Sequence, residues 1–233
     1  MATRGPDCTE RQVSNVGDVF KLAAVLTVVA LCSGLAVSFT NSQTREEIAL
    51  REQEKQTTAL EQVFPEGVEI DVKSGEKPLP ATYWMARKNA NTVGYAFESS
   101  AKGYAAPINL MVAVDPQGEI LGLAIIDQKE TPGLGTRVEE TISDKYVWAP
   151  WKESTADPTP WFTRQFKGID VNESIDIEKS AEYHTLSSDR KKQLREKNAI
   201  TAITGATIST RAVINGVGQS VPAYLRELTS GRE

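Results

Sequence analysis

Hydrophobic residues are spread unevenly along this chain, and each change in their spacing marks an element. From Leu22 to Phe39 they run without a single charge. At about 1.5 Å per helical residue the run reaches roughly 27 Å, close to the hydrocarbon thickness of a bilayer. Val19 and Phe20 extend it, and Lys21 is placed to snorkel toward head groups. The run lacks the polar face expected of a helix in a soluble core. A cleaved leader would want a shorter polar start and a small-x-small cut site, and Leu31 ahead of Cys32 does not suit lipid attachment. One transmembrane helix, an uncleaved anchor, is expected at 19–40, after a short cytoplasmic tail at 1–18. Arg4, Arg11 and Lys21 precede it, against Arg45 and Arg51 beyond it. That basic bias puts the N-terminus in the cytoplasm and the large domain outside the cytoplasmic membrane.

Residues 41–64 hold scattered apolar positions among Glu, Gln, Lys and Arg. They read as a solvated juxtamembrane helix, a spacer, ending at Pro65 and Gly67. Beyond it, at 65–233, the period shortens toward two. Val68–Val72 alternates, Thr82–Arg87 is short and aromatic, and Val93–Glu98 follows an Asn-Ala-Asn turn. Ile108–Val114 is a near-continuous apolar run, Asp115-Pro-Gln-Gly118 a turn, and Glu119–Ile126 the returning strand. Connections this short demand antiparallel pairing. The charged segment 172–198 reads as a helical insertion facing solvent. Ile208–Leu228 reads as a helix that Pro222 bends or breaks, with Val213, Val217, Val221 and Leu225 on its inner face. The fold class is α+β: an antiparallel sheet with packed helices, preceded by one N-terminal transmembrane helix.

Composition narrows the chemistry. Hydrophobic residues make up 40% of the 233 and charged residues 24%, so a packed globule is expected. A net charge of −5 argues against nucleic acid as a partner. Both cysteines, Cys8 and Cys32, lie at or before the apolar run, and the one histidine, His184, sits in a polar stretch and reads as a surface residue. The outer domain therefore lacks the thiols for an iron–sulfur cluster and the histidines for a two-histidine metal site. If it carries electrons, the carrier is organic. Neither Gly133-Leu-Gly135 nor Gly216-Val-Gly218 completes a dinucleotide fingerprint, and no Walker A sequence occurs.

Two segments carry candidate chemistry. In Thr201-Ala-Ile-Thr204-Gly205-Ala206-Thr207-Ile208, two small residues clear the space before Thr207 and a helix begins just after it. A hydroxyl there sits among free backbone amides at the positive end of the helix dipole, where phosphate can be held or esterified. The plainer alternative is that Thr204 or Thr207 caps the helix. In Glu130-Thr131-Pro132-Gly133-Leu134-Gly135-Thr136, a proline and two glycines at a strand end can present amides to a flat ring. The alternative is a tight turn into a helix near Val138–Ser143. Trp148, Trp151, Trp161, Phe162 and Phe166 either close the core or cover such a ring, and core is the better reading for most of them.

Together, the Thr-Gly-Ala-Thr core, its downstream Ile-Ser-Thr-Arg-Ala-Val and the Glu-Thr-Pro-Gly-Leu-Gly loop resemble the FMN-binding domain of respiratory flavoproteins. They resemble in particular the G subunit of the Rnf electron-transport complex and the related C subunit of the sodium-pumping NADH:quinone reductase. The resemblance implies FMN joined by a phosphoester to Thr207. Thr204 and the backbone amides of Gly205, Ala206, Thr207 and Ile208 are then expected to hold the phosphate, and the resemblance sets Glu130, Thr131, Gly133, Leu134, Gly135 and Thr136 along the ring. It also implicates Lys167, from Pro160–Gly168; no metal is expected, as the composition already indicates. Thr201 stands where the family pattern carries an aspartate. The implied role is a membrane-bound electron relay among partner subunits of an ion-translocating ferredoxin:NAD oxidoreductase, moving Na⁺ or H⁺, with a flavin transferase acting during maturation. The sodium-pumping reductase is the alternative within the class. A cofactor-free membrane-anchored scaffold is the alternative outside it.

Overall fold

The computed structural model describes residues 16–77, 79–89, 91–142 and 159–230. Arg4, Cys8, Arg11, Ser143, Trp148 and Trp151 lie outside these. The chain divides into two compact units, Met1–Glu52 and Gln53–Glu233. One helix is assigned across the anchor and the spacer, α1 at Val16–Val63. It is the one helix among the described residues long and apolar enough to cross a membrane, and its apolar stretch is exposed throughout.

The second unit is built on a five-stranded antiparallel meander: β1 Glu69–Ser74, β2 Thr82–Lys88, β3 Asn91–Lys102, β4 Pro107–Val114 and β5 Ile120–Asp127. Each strand lies within a few residues of its expected place. The turns explain the register. Asn89 adopts a left-handed φ of 52° between β2 and β3. Between β4 and β5, one carboxylate oxygen of Asp115 accepts the amides of Gln117, Gly118 and Glu119 at 2.8–2.9 Å. The short loops thus fix which face each side chain meets.

The two faces differ in bulk. Tyr95, Phe97, Leu110, Val112 and Leu123 point to one side, where α4 (Thr207–Ser230) covers them with Val213, Val217, Val221 and Leu225. The helix continues through Pro222 rather than breaking there. The opposite face carries Ala86, Ala96, Ala113 and Ala124 with Trp84 and Met111, and onto it pack Ala59, Leu60, Val63 and Phe64. The spacer is therefore not solvated to its end, because its last turn closes the core. The approach is close. A Cβ on Gly122 would stand 2.5 Å from the Val63 carbonyl oxygen and 2.6 Å from its Cα.

The insertion after residue 172 also departs from expectation. Rather than one solvated helix it holds β6 (Asp176–Glu178), a 3-10 turn at Tyr183–Thr185 and α3 (Ser188–Glu196), and β6 pairs in parallel with β7 (Ala199–Thr201). Its charges conceal a packed side, since Leu194 and Asn198 are buried and Ser187 caps α3 at the Arg190 amide. His184 is partly exposed and stands edge-on to Trp161 at 5.1 Å, so it sits at the surface with one side packed. Trp161, Phe162 and Phe166 are core residues with no exposed surface. Trp161 and Phe162 open α2 (Trp161–Arg164). Gly122→Ala is expected to cost about 1–3 kcal/mol by forcing a methyl into the Val63 backbone. Gly218→Ala, with nothing within 4 Å of the added carbon, should hold or raise stability. Thermal midpoints of the full chain in detergent check both.

Candidate functional site

The two candidate segments meet. Gly205 takes φ +82°, and a Cβ there would lie 3.1 Å from Cδ2 of Leu134, so the Thr-Gly-Ala-Thr turn passes directly against the 130–136 loop. Ala206 is buried, and α4 begins at Thr207. The hydroxyls that follow have distinct fates. Thr210 is fully buried; its Oγ accepts the Ile203 amide at 3.1 Å and donates to the Ala206 carbonyl at 3.1 Å. Ser209, also buried, donates to Glu130. Thr207 is exposed, and among the described residues its hydroxyl makes no hydrogen bond. It does not cap the helix, and Thr210 closes the turn from within.

Glu130 is the hub of this arrangement. One carboxylate oxygen accepts the amides of Ala105 and Ala106, at 2.9 and 3.3 Å, from the β3–β4 turn. The other accepts the Ser209 hydroxyl from the first turn of α4. Gly103 and Gly135 make room, since a Cβ on either would stand 2.5 Å from a carboxylate oxygen of Glu130. Burial alone would raise the Glu130 pKa. The Ser209 hydroxyl and the amides of Ala105, Ala106 and Tyr104 outweigh it and hold the carboxyl below its ordinary value.

The rest of the loop is a closed turn. Thr136 Oγ accepts the Gly133 amide at 3.1 Å and reaches the Thr131 carbonyl, whose oxygen also takes the Leu134 amide at 3.1 Å. The chain then enters a 3-10 turn at Gly135–Glu139 and is extended at Glu140, so the helix expected from Val138 does not form there. Arg137 leaves this turn to grip Glu182 with both guanidinium nitrogens, at 2.6 and 2.9 Å, and Glu140 at 2.9 Å. The Thr204 backbone amide lies near Glu182 and also favours its charged form. The Arg137 bonds hold the Glu182 pKa down against burial, and Glu182 holds that of Arg137 up. Sequence reasoning gave Arg137, Glu182 and Ser209 no role; Ser209 lies within the quoted Ile-Ser-Thr-Arg motif, but its partner is visible only in the folded chain.

Thr201 is fully buried and paired with Gln165, whose Oε1 accepts the Thr201 amide at 2.8 Å and whose Nε2 donates to its carbonyl at 3.2 Å. Lys167 is not brought to the cluster. It is exposed on a cleft of about 690 Å³ with Phe64, Arg164, Tyr183 and Lys191, whose lining includes none of residues 130–136 or 204–208. No group of His, Cys, Asp and Glu among the described residues could hold a metal ion.

The depressed Glu130 pKa carries a sign. A carboxyl with a folded pKa below its ordinary 4.5 stabilises fully above that value, and the contribution drains as pH falls through the folded pKa. Glu130→Gln is expected to lose about 1–3 kcal/mol at neutral pH and to flatten the acid limb of the stability curve. Unfolding midpoints of both proteins across the acid range measure this, and parallel acid limbs would contradict it.

Residues 103–221 match the FMN-binding domain family, and residues 18–63 match the RnfG N-terminal region. The G subunit of the Na⁺-translocating ferredoxin:NAD⁺ oxidoreductase complex of Acetobacterium woodii is 26% identical over 88% of this chain and 91% of that protein. The G subunit of the ion-translocating oxidoreductase complex of Photorhabdus laumondii is 28% identical over 86% and 90%. Its counterpart in the proton-translocating ferredoxin:NAD⁺ oxidoreductase complex of Clostridium ljungdahlii is 27% identical over 87% and 90%. The solved structure of the C subunit of the Na⁺-translocating NADH-quinone reductase of Parabacteroides distasonis superposes with a TM-score of 0.51 at 16% identity, covering 80% of this chain and 96% of that one, a likeness of fold. With its matched region holding both the Glu130 loop and the Thr207 turn, this chain belongs to the FMN-binding domain family.

Proposed function

We propose that this chain is the G-type flavoprotein subunit of an ion-translocating ferredoxin:NAD⁺ oxidoreductase complex, carrying FMN through a phosphoester on Thr207. The reading rests on its relatives, which are G subunits of such complexes, and on one observation. Of the hydroxyls at the start of α4, Thr207 alone is both exposed and unbonded, while Ser209 and Thr210 are buried and engaged.

The residues present suit a phosphate monoester. The left-handed Gly205 turns the backbone so that the first amides of α4 emerge beside Thr207, and the helix dipole favours negative charge there. Thr204, Gly205, Ala206 and Ile208 form the phosphate cradle. Residues 130–136 form the neighbouring wall, with exposed Leu134 its apolar part. Bound FMN supplies one- and two-electron redox chemistry. The protein's part is to hold the ester, set the ring's surroundings and leave it accessible to the rest of the complex. A flavin transferase installs the ester from outside this chain.

The apolar run of α1 anchors the chain in the cytoplasmic membrane as a single pass, with the basic residues before it keeping the N-terminus inside. The flavin domain then stands on the outer side, where a tether keeps a cofactor that could not be replaced if lost.

Thr207→Ala, made in a host with the transferase, should lack the FMN mass increment and the flavin fluorescence of the denatured band on a gel. Thr207→Ser should keep both. Labelled Thr207→Ala protein would refute the linkage. Removing residues 1–40 should release the domain from washed membranes, and alkaline phosphatase fused after residue 230 of the full chain should be active. An inactive fusion would place the domain inside.

A further inference from the structure

The linkage reading leaves open what faces the ring. Among described residues beyond 52, the exposed large hydrophobic side chains are Val72, Tyr104, Leu134, Ile142 and Ile208. Leu134 borders Gly205, and Ile208 follows Thr207. Tyr104 comes from a third element, the tip of the β3–β4 hairpin, and is 69% exposed.

The hairpin tip is fastened to the same hub. The amides of Ala105 and Ala106, next to Tyr104, converge on one oxygen of Glu130, whose other oxygen holds Ser209, two residues along α4 from Thr207. A single carboxylate thus lies between the hairpin tip that carries Tyr104 and the first turn of α4. The packing on both sides of it excludes even a methyl at Gly103 or Gly135, so the tip lies close against the carboxylate. Tyr104 also lines an open hollow of about 390 Å³ formed by the hairpin itself, residues 100–107. An aromatic ring left in water forgoes the benefit of burial, whereas a flat aromatic ligand would cover it.

We infer that Tyr104 is a positioning residue of the flavin site, its phenol packing against the isoalloxazine ring of the FMN carried on Thr207. The inference rests on the linkage reading, and the two can fail separately. Leu134 and Ile208 give the ring an aliphatic border, while Tyr104 gives it the aromatic contact that limits where the ribityl chain lets it rest. A phenol in contact with an excited flavin also donates an electron and quenches emission, which a phenyl or isobutyl group cannot do.

The test uses the full chain in detergent, made with the transferase, as wild type, Tyr104→Phe and Tyr104→Leu. Intact mass reports loading, and emission yield and anisotropy of the native protein report the contact. Fully loaded variants should emit severalfold more strongly than wild type, with lower anisotropy for Tyr104→Leu. Equal emission and anisotropy at equal loading would overturn the inference and leave the linkage standing. So would unchanged emission accompanied by loss of the other subunits on purification, which would make Tyr104 a docking residue. Wild type without the FMN increment would overturn both readings.

Discussion

A buried carboxylate with two unlike sets of donors organises this domain. Glu130 joins the end of β5 to the β3–β4 tip through backbone amides and to α4 through a hydroxyl. These segments are distant in sequence and meet only after the sheet has formed and α4 has docked. Desolvating the charge is costly, so the bridge persists only with every donor in place. The glycines at 103 and 135 follow from that requirement: they are small because the carboxylate occupies the space a side chain would need.

A second carboxylate works from the other side. Glu182, from the insertion, lies near the Thr204 amide and is held by the forked guanidinium of Arg137. A planar fork fixes both position and angle, which a lysine would not. The Thr204–Thr207 turn is thus braced by Glu182 at its start and, through Ser209, by Glu130 at its end. Neither carboxylate touches Thr207. The unequal faces of the sheet extend the logic: the bulky face fixes α4, while the alanine-rich face lets the α1 terminus approach until Gly122 meets Val63.

Much of this was legible in the sequence, for physical reasons that differ by element. Strands β1 to β5 were readable because alternation and turn residues act locally; Asp115 and Gly118 build their turn from their own atoms. The inner face of α4 was readable from Val213, Val217, Val221 and Leu225, and the Thr207 and Glu130 segments from their motifs. The insertion was not, because its charges suggested solvent while Glu182 and Asn198 are spent on distant partners. The buried turn of α1 was hidden because Leu60, Val63 and Phe64 are too few to set a period. Ser209 and Arg137 were invisible because their roles exist only across contacts between segments remote in the chain.

The proposed phosphate site also has to reconcile two nearby acids with a negatively charged ligand. Two free carboxylates would repel a phosphate and weaken the attraction of the helix N-terminus. Each acid is instead engaged by donors. Glu182 is ion-paired to two guanidinium nitrogens of Arg137, and Glu130 takes hydrogen bonds from the hairpin amides and a hydroxyl. The Glu182 charge is thus matched by that of Arg137, and the Glu130 charge is met by oriented dipoles. What remains at the start of α4 is the field of the helix, a glycine turn that exposes it, and one unengaged oxygen. The acids therefore brace the turn while leaving Thr207 open, and loosening either would cost the shape of the proposed cradle.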